Sequence, residues 1–106
     1  MSISAPMRTD RNGYAPSIIA DWPYCAICYK KGDLVRHEVF HGPFRQKSKR
    51  YGLWISICPE CHFKIHHDAK LERRIKEFAQ RNAMLVYGWE IDDFRREFGK
   101  NYVETK

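Results

Sequence analysis

Four cysteines stand in two C-x-x-C pairs, Cys25 with Cys28 and Cys58 with Cys61. A two-residue gap lets both sulfurs of a tight turn face one tetrahedral ion, and two such pairs make the ligand set of a structural zinc site. The same cysteines could pair as disulfides, but nothing in the chain points to secretion, and a reducing compartment favours metal. Structural Zn²⁺ on Cys25, Cys28, Cys58 and Cys61 is therefore expected. A C-x-x-C redox enzyme fits less well, because such enzymes use one pair at a helix start.

Histidines concentrate between residues 37 and 67. His62 and His66 are four apart, so on a helix they share a face and can address one ion. His67 falls to the side. His37 and Glu38 end a β-prone segment, and neutral imidazole is a good ligand for zinc and other transition metals. These residues predict a second metal site, distinct from the cysteines.

Between the two groups runs a basic stretch that includes Arg45, Lys47, Lys49 and Arg50. Runs of this kind are ordinarily solvated. Beside a metal site, within a chain of net charge +6 and pI about 9.3, this one is expected to grip phosphates. Arg8 and Arg11 could extend that grip. DNA is the expected partner.

The elements that must position these residues can be read from local pattern. The first 20 residues mix Pro, Gly, Ser and charge without periodicity and read as a flexible or loosely docked arm. A single domain is expected over 21–103, since 106 residues leave room for one core. Leu34–Phe40 reads as a strand, His41-Gly42-Pro43 as a breaker and Arg45–Arg50 as a loop. Leu53–Ile57 reads as a second, antiparallel strand. Pro59 suits the first turn of a helix carrying Cys61, His62 and His66. Leu71, Ile75, Phe78, Ala79 and Leu85 recur at helical spacing and predict the core face of a long helix that Gly88 stops. A short helix over Glu90–Phe98 follows, with Ile91, Phe94 and Phe98 on one side, and Lys100–Lys106 reads as a tail. Phe44, Tyr51 and Trp54 are expected in the core or packed on the zinc site. The class is α+β. No apolar run approaches the roughly 20 residues that span a bilayer, and no leader pattern opens the chain, so a cytoplasmic protein is expected.

Taken together, Cys25-x-x-Cys28, His37-Glu38-Val39-Phe40-His41-Gly42, Tyr51-Gly52-Leu53-Trp54 and Ile57-Cys58-Pro59-Glu60-Cys61-His62 resemble the HNH endonucleases of the ββα-metal superfamily. The likeness is strongest to small phage and prophage HNH-like proteins. Phe94–Tyr102 also looks like the ending of those proteins, and the resemblance spans about residues 24–103.

The resemblance implies a zinc-stapled ββα-metal core with two C-terminal helices. It also implies metal-assisted hydrolysis of a phosphodiester, nicking DNA or cutting both strands, in the cytoplasm of the host cell if phage-encoded. One catalytic divalent ion (Mg²⁺, Mn²⁺, Ni²⁺ or Zn²⁺) is then expected on His37, His62 and His66. His62 matches the last histidine of the motif. Setting the register on Val39 and Phe40 makes His37 the ligand and puts Glu38 where the base belongs. Shifting by one makes His37 the base but places Arg36, a cation, as ligand. His41 is a further candidate base. The family's middle Asn is missing, and Ser48 or Gln46 are the nearby polar residues that could replace it. A homodimer or phage DNA-processing proteins are the further partners to expect. The other class of function is a catalytically impaired zinc-bound DNA-binding or adaptor module derived from such a nuclease.

Overall fold

The computed structural model describes residues 8–103; the first seven residues of the expected arm and the last three of the tail lie outside the described residues. Elements follow in the order β1 (Val35–Glu38), a 3-10 turn (Gly42–Phe44), α1 (Arg45–Arg50), β2 (Trp54–Ile57), α2 (Pro59–Ile65), α3 (Ala69–Tyr87) and α4 (Ile91–Phe98). The two strands form one antiparallel ribbon, pairing Val35 with Ile57, His37 with Ile55 and Glu38 with Trp54. Both strands are shorter than their apolar patterns suggest. A bond from Val39 N–H to Leu53 O at 3.0 Å carries the pairing one step further.

The basic stretch is a helix, not the expected loop. Pro43 lies inside the 3-10 turn that leads into α1. Arg, Gln and Lys are good helix formers, so propensity and polarity pointed to different answers here, and propensity prevails. Ser48 on α1 is fully buried. Its hydroxyl donates to Phe40 O (2.5 Å) and accepts from Phe40 N–H (3.1 Å), which ties α1 to the end of β1.

Cys58 caps α2, its sulfur accepting from Cys61 N–H, and Pro59 opens the helix as expected. Asp68 caps α3 by accepting from Leu71 N–H at 3.1 Å, and Gly88 ends it in the left-handed conformation. The buried stripe of α3 is Ala79, Gln80, Ala83 and Tyr87. Phe78 and Leu85, expected in the core, are 56% and 81% exposed. The small side chains of Ala79 and Ala83 set which face can approach closely, and packing outweighs the hydropathy of single positions. Phe94 and Phe98 of α4 join Val39, Phe40, Leu53 and Trp89 in the main core, with Tyr51 also buried there and Phe44 packed against it. Gln80, wholly buried, donates to Asn101 Oδ1 and accepts from Tyr102 N–H, both at 2.7 Å, so part of the expected tail is fastened to α3.

The described part of the arm is docked firmly. Ala15 N–H donates to Lys49 O (2.8 Å), Ile18 N–H to Gly52 O (2.9 Å) and the Trp54 indole to Ala15 O (2.7 Å). Ala20 makes a parallel bridge with Ile55. Gly52 has φ +74°, and a Cβ there would lie 2.3 Å from Pro16 O, so only glycine admits the strap at this crossing. These bonds join segments far apart in the chain, which is why local composition read the stretch as loose. Among the described residues, no helix is long and apolar enough to cross a membrane.

Candidate metal centre

One donor atom from each of Cys25, Cys28, Cys58 and Cys61 falls within a set whose members all lie within 4.8 Å of one another. Cys28 Sγ and Cys58 Sγ are 3.8 Å apart. A tetrahedral zinc about 2.3 Å from each sulfur sets the sulfurs roughly 3.8 Å apart, whereas a disulfide needs about 2.05 Å. The donor set therefore fits zinc. Backbone N–H groups of Ile27 and Cys28 point at Cys25 Sγ, each at 3.4 Å. Burial works to raise the Cys25 thiol, but the backbone groups of Cys28, Cys58 and Ile27 outweigh it and bring it down to about 6. Cys61 is pushed up by burial and by its neighbouring cysteines. A divalent cation relieves that conflict by letting all four ionise.

Ile55, Ile57 and Ile65 pack around the cysteines in a second buried cluster. This cluster links the ribbon to α2, and so fixes the histidines on those elements.

His37, His62 and His66 bring one ring nitrogen each to within 4.8 Å of one another. The ring of His37 is 5.5 Å from that of His62 and 6.0 Å from that of His66, and the two helical rings are 5.0 Å apart. The histidines four apart do share a face, although His66 is the C-cap of α2 rather than part of its regular turns. Zinc–nitrogen bonds of 2.0–2.1 Å would set the nitrogens of a tetrahedral site roughly 3.3 Å apart, a spacing this trio can meet. Three imidazoles leave a coordination position open, the arrangement that separates catalytic from structural sites. His37 is only 4% exposed. Burial, followed by the nearby His62, His66 and His41, holds it down to about 4, so at neutral pH it is the neutral imidazole a metal requires. His67 stands apart, its Nδ1 on Phe63 O at 2.9 Å and its ring stacked on Phe63.

Glu38 does not join the histidine cluster. Successive strand residues face opposite sides of the ribbon, and the Glu38 carboxylate takes hydrogen bonds from Tyr14 OH and, at 3.1 Å, from Arg45 Nε. Burial and then Glu38 raise the Tyr14 phenol. His41 lies at the rim of the cluster, its ring 6.5 Å from His37 and 6.4 Å from His66, with Nε2 3.1 Å from Glu72 Oε2. Burial works to raise the Glu72 carboxyl, but the hydrogen bond with His41 and the nearby Lys76 outweigh it and hold it below the usual range. Ser48, considered above as a substitute for the missing Asn, is a buried clamp on Phe40, and Gln46 is exposed on α1.

The four basic residues differ in their surroundings. Arg45 is paired with Glu38, Lys47 with Glu97 near the end of α4 (3.2 Å), and Lys49 sits 4.7 Å over the Tyr14 ring. Arg50 is exposed. Sequence reasoning missed Tyr14 and Glu72. Tyr14 lay in a stretch without periodicity, and Glu72 looked like one more charge on the polar side of a helix; neither carried a local motif. Comparison of the chain with protein-family models, with curated proteins and with solved structures finds no match.

Proposed function

We propose that this chain is a metal-dependent DNA endonuclease that hydrolyses phosphodiester bonds in the HNH manner. The observation that carries the reading is the convergence of His37, His62 and His66, donated by a strand and a helix that the cysteine cluster joins. When bound there, a divalent ion supplies a Lewis acid for the scissile phosphate and for charge on the leaving 3′ oxygen. The protein's own residues do the rest. His37, His62 and His66 hold the ligand geometry, and burial keeps His37 neutral. Arg50, exposed on α1, offers a cation to the DNA backbone, and Arg45, Lys47 and Lys49 add to the positive field of the same helix although Arg45 and Lys47 already pair with Glu38 and Glu97. With His37 taken as a ligand rather than as the base, Glu38 and His41 are the remaining candidate bases.

The test is plasmid nicking in Mg²⁺, Mn²⁺, Ni²⁺ or Zn²⁺, with metal content measured on the same preparations. The wild type is expected to nick and to bind a second ion beyond the cysteine zinc. His62→Ala is expected to lose both while retaining that zinc. Nicking at the wild-type rate by a clean His62→Ala preparation would refute the proposal.

A zinc-bound DNA-binding or adaptor module is the second reading. The observation favouring it is that Glu38, at the base position, is tied up by Arg45 and Tyr14 and no Asn lies between His37 and His62. It predicts one zinc per chain and no turnover with any of the four ions.

A further inference from the structure

His41 immediately precedes the 3-10 turn at Gly42–Phe44, in extended backbone, where its side chain reaches the rim of the His37–His62–His66 cluster. The first turn of α3 brings Glu72 Oε2 within 3.1 Å of the ring's Nε2. Lys76, one turn on, lies 3.6 Å from the same carboxylate and steadies it. A carboxylate only accepts hydrogen bonds. In the neutral ring the contact therefore puts the proton on Nε2 and leaves the Nδ1 lone pair unengaged.

We propose that His41 is the general base of the hydrolysis and Glu72 its positioning residue, an inference that rests on the endonuclease reading. In the step, a water gives its proton to His41 Nδ1 while its oxygen bonds to phosphorus. The bond from phosphorus to the 3′ oxygen breaks, and that oxygen takes a proton from solvent. His41 now carries a positive charge, which Glu72 stabilises, and releases the proton to solvent before the next turnover. A histidine held by a carboxylate keeps both its tautomer and its ring plane, which a free surface histidine does not.

Glu38 is the competing base, and its contacts argue against it. Both of its oxygens already accept donors, from Arg45 and Tyr14, and taking a proton would break the ion pair. His41 keeps an unengaged lone pair and has its counter-charge in place. Glu72 belongs to none of the short motifs that carry the resemblance, and from α3 it supplies the orienting contact for which no Asn is available between His37 and His62.

The test combines nicking kinetics with nitrogen NMR of the histidine rings in the zinc-loaded protein. In the wild type, His41 is expected in the Nε2–H tautomer, and Glu72→Ala is expected to yield a mixture. His41 is 46% exposed in its side chain, so His41→Ala should fold and keep its zinc. Its kcat is expected to fall about 10²–10⁴-fold, the usual worth of general base catalysis, and added imidazole should restore part of the loss. Glu72→Ala is expected to lower kcat roughly 10–100-fold, the usual cost of losing a residue that orients a site histidine, at unchanged KM. Glu72→Gln, which retains an acceptor, should recover part of this. A nicking wild type matched in kcat by His41→Ala overturns the base role alone. An Nδ1–H tautomer in the wild type overturns the positioning role. A wild type that nicks nothing overturns the endonuclease reading and the base role with it, and that outcome is distinct from the other two.

Discussion

Replacing Ser48 by Ala removes one oxygen and should destabilise the domain far more than a surface substitution would. Ser48 has no exposed surface. Its hydroxyl satisfies both the N–H and the C=O of Phe40, at 3.1 and 2.5 Å, and Phe40 is itself only 2% exposed. Alanine leaves both backbone groups without that partner in a dry site. Each lost bond is worth about 1 kcal/mol net, and each polar group left unsatisfied costs about 1–3 kcal/mol, so a total of roughly 2–4 kcal/mol is expected. Against a whole-domain stability of about 5–15 kcal/mol this is a large fraction. In urea, with a slope of about 1.5 kcal/mol/M, the midpoint should fall by roughly 2 M. The assay is equilibrium unfolding of wild type and Ser48→Ala, both loaded with zinc and followed by tryptophan fluorescence. Because Ser48 anchors α1 to the end of β1, the variant should also loosen the basic helix relative to His37, visible as faster amide exchange over Arg45–Arg50. A loss below about 0.5 kcal/mol, the size of an ordinary surface change, would refute the reasoning. It would mean that water or a backbone shift satisfies Phe40 without the hydroxyl.

Cys58→Ser should release the zinc and with it the cooperative fold, because structural zinc contributes about 10–16 kcal/mol of apparent binding energy, more than most domains of this size have to spare. Zinc analysis with a urea transition checks this, and a zinc-free variant that still unfolds cooperatively would count against a structural role. Acid should weaken the protein through His37. The unfolded chain takes a proton on this residue below about 6.5, but the folded chain takes it only near 4. The stabilisation is therefore complete above pH 6.5 and is lost as pH falls to 4, by about 3 kcal/mol over that window. Urea midpoints at pH 7 and 4.5, compared between wild type and His37→Leu without added divalent ions, isolate the effect, since proton-driven loss of the cysteine zinc is common to both. Equal acid sensitivity in the two proteins would show that His37 is not held neutral by its surroundings.

Features written in short spacings were legible in the sequence. The C-x-x-C pairs are local turns, the Pro59 helix start is a local preference, and histidines four apart must share a helix face whatever surrounds them. Gly88 likewise marked a helix end, because caps depend on a few neighbouring backbone groups. The fate of the basic stretch was also a local matter, but charge masked its helix propensity.

Tertiary structure decided the rest, because the deciding contacts join residues far apart in the chain. Only the folded chain shows that Tyr14 and Arg45 occupy Glu38, that Ser48 serves Phe40, and that Glu72 holds His41. Whether Phe78 faces core or water depended on which face of α3 could come close, which small residues chose. The sequence by itself picked out the cysteines and histidines that the fold gathers into two clusters, since their residue types and short spacings are local features. Which candidate base has a free lone pair beside them is a question of side-chain partners, and partners exist only once the strap, the ribbon and α3 have come together.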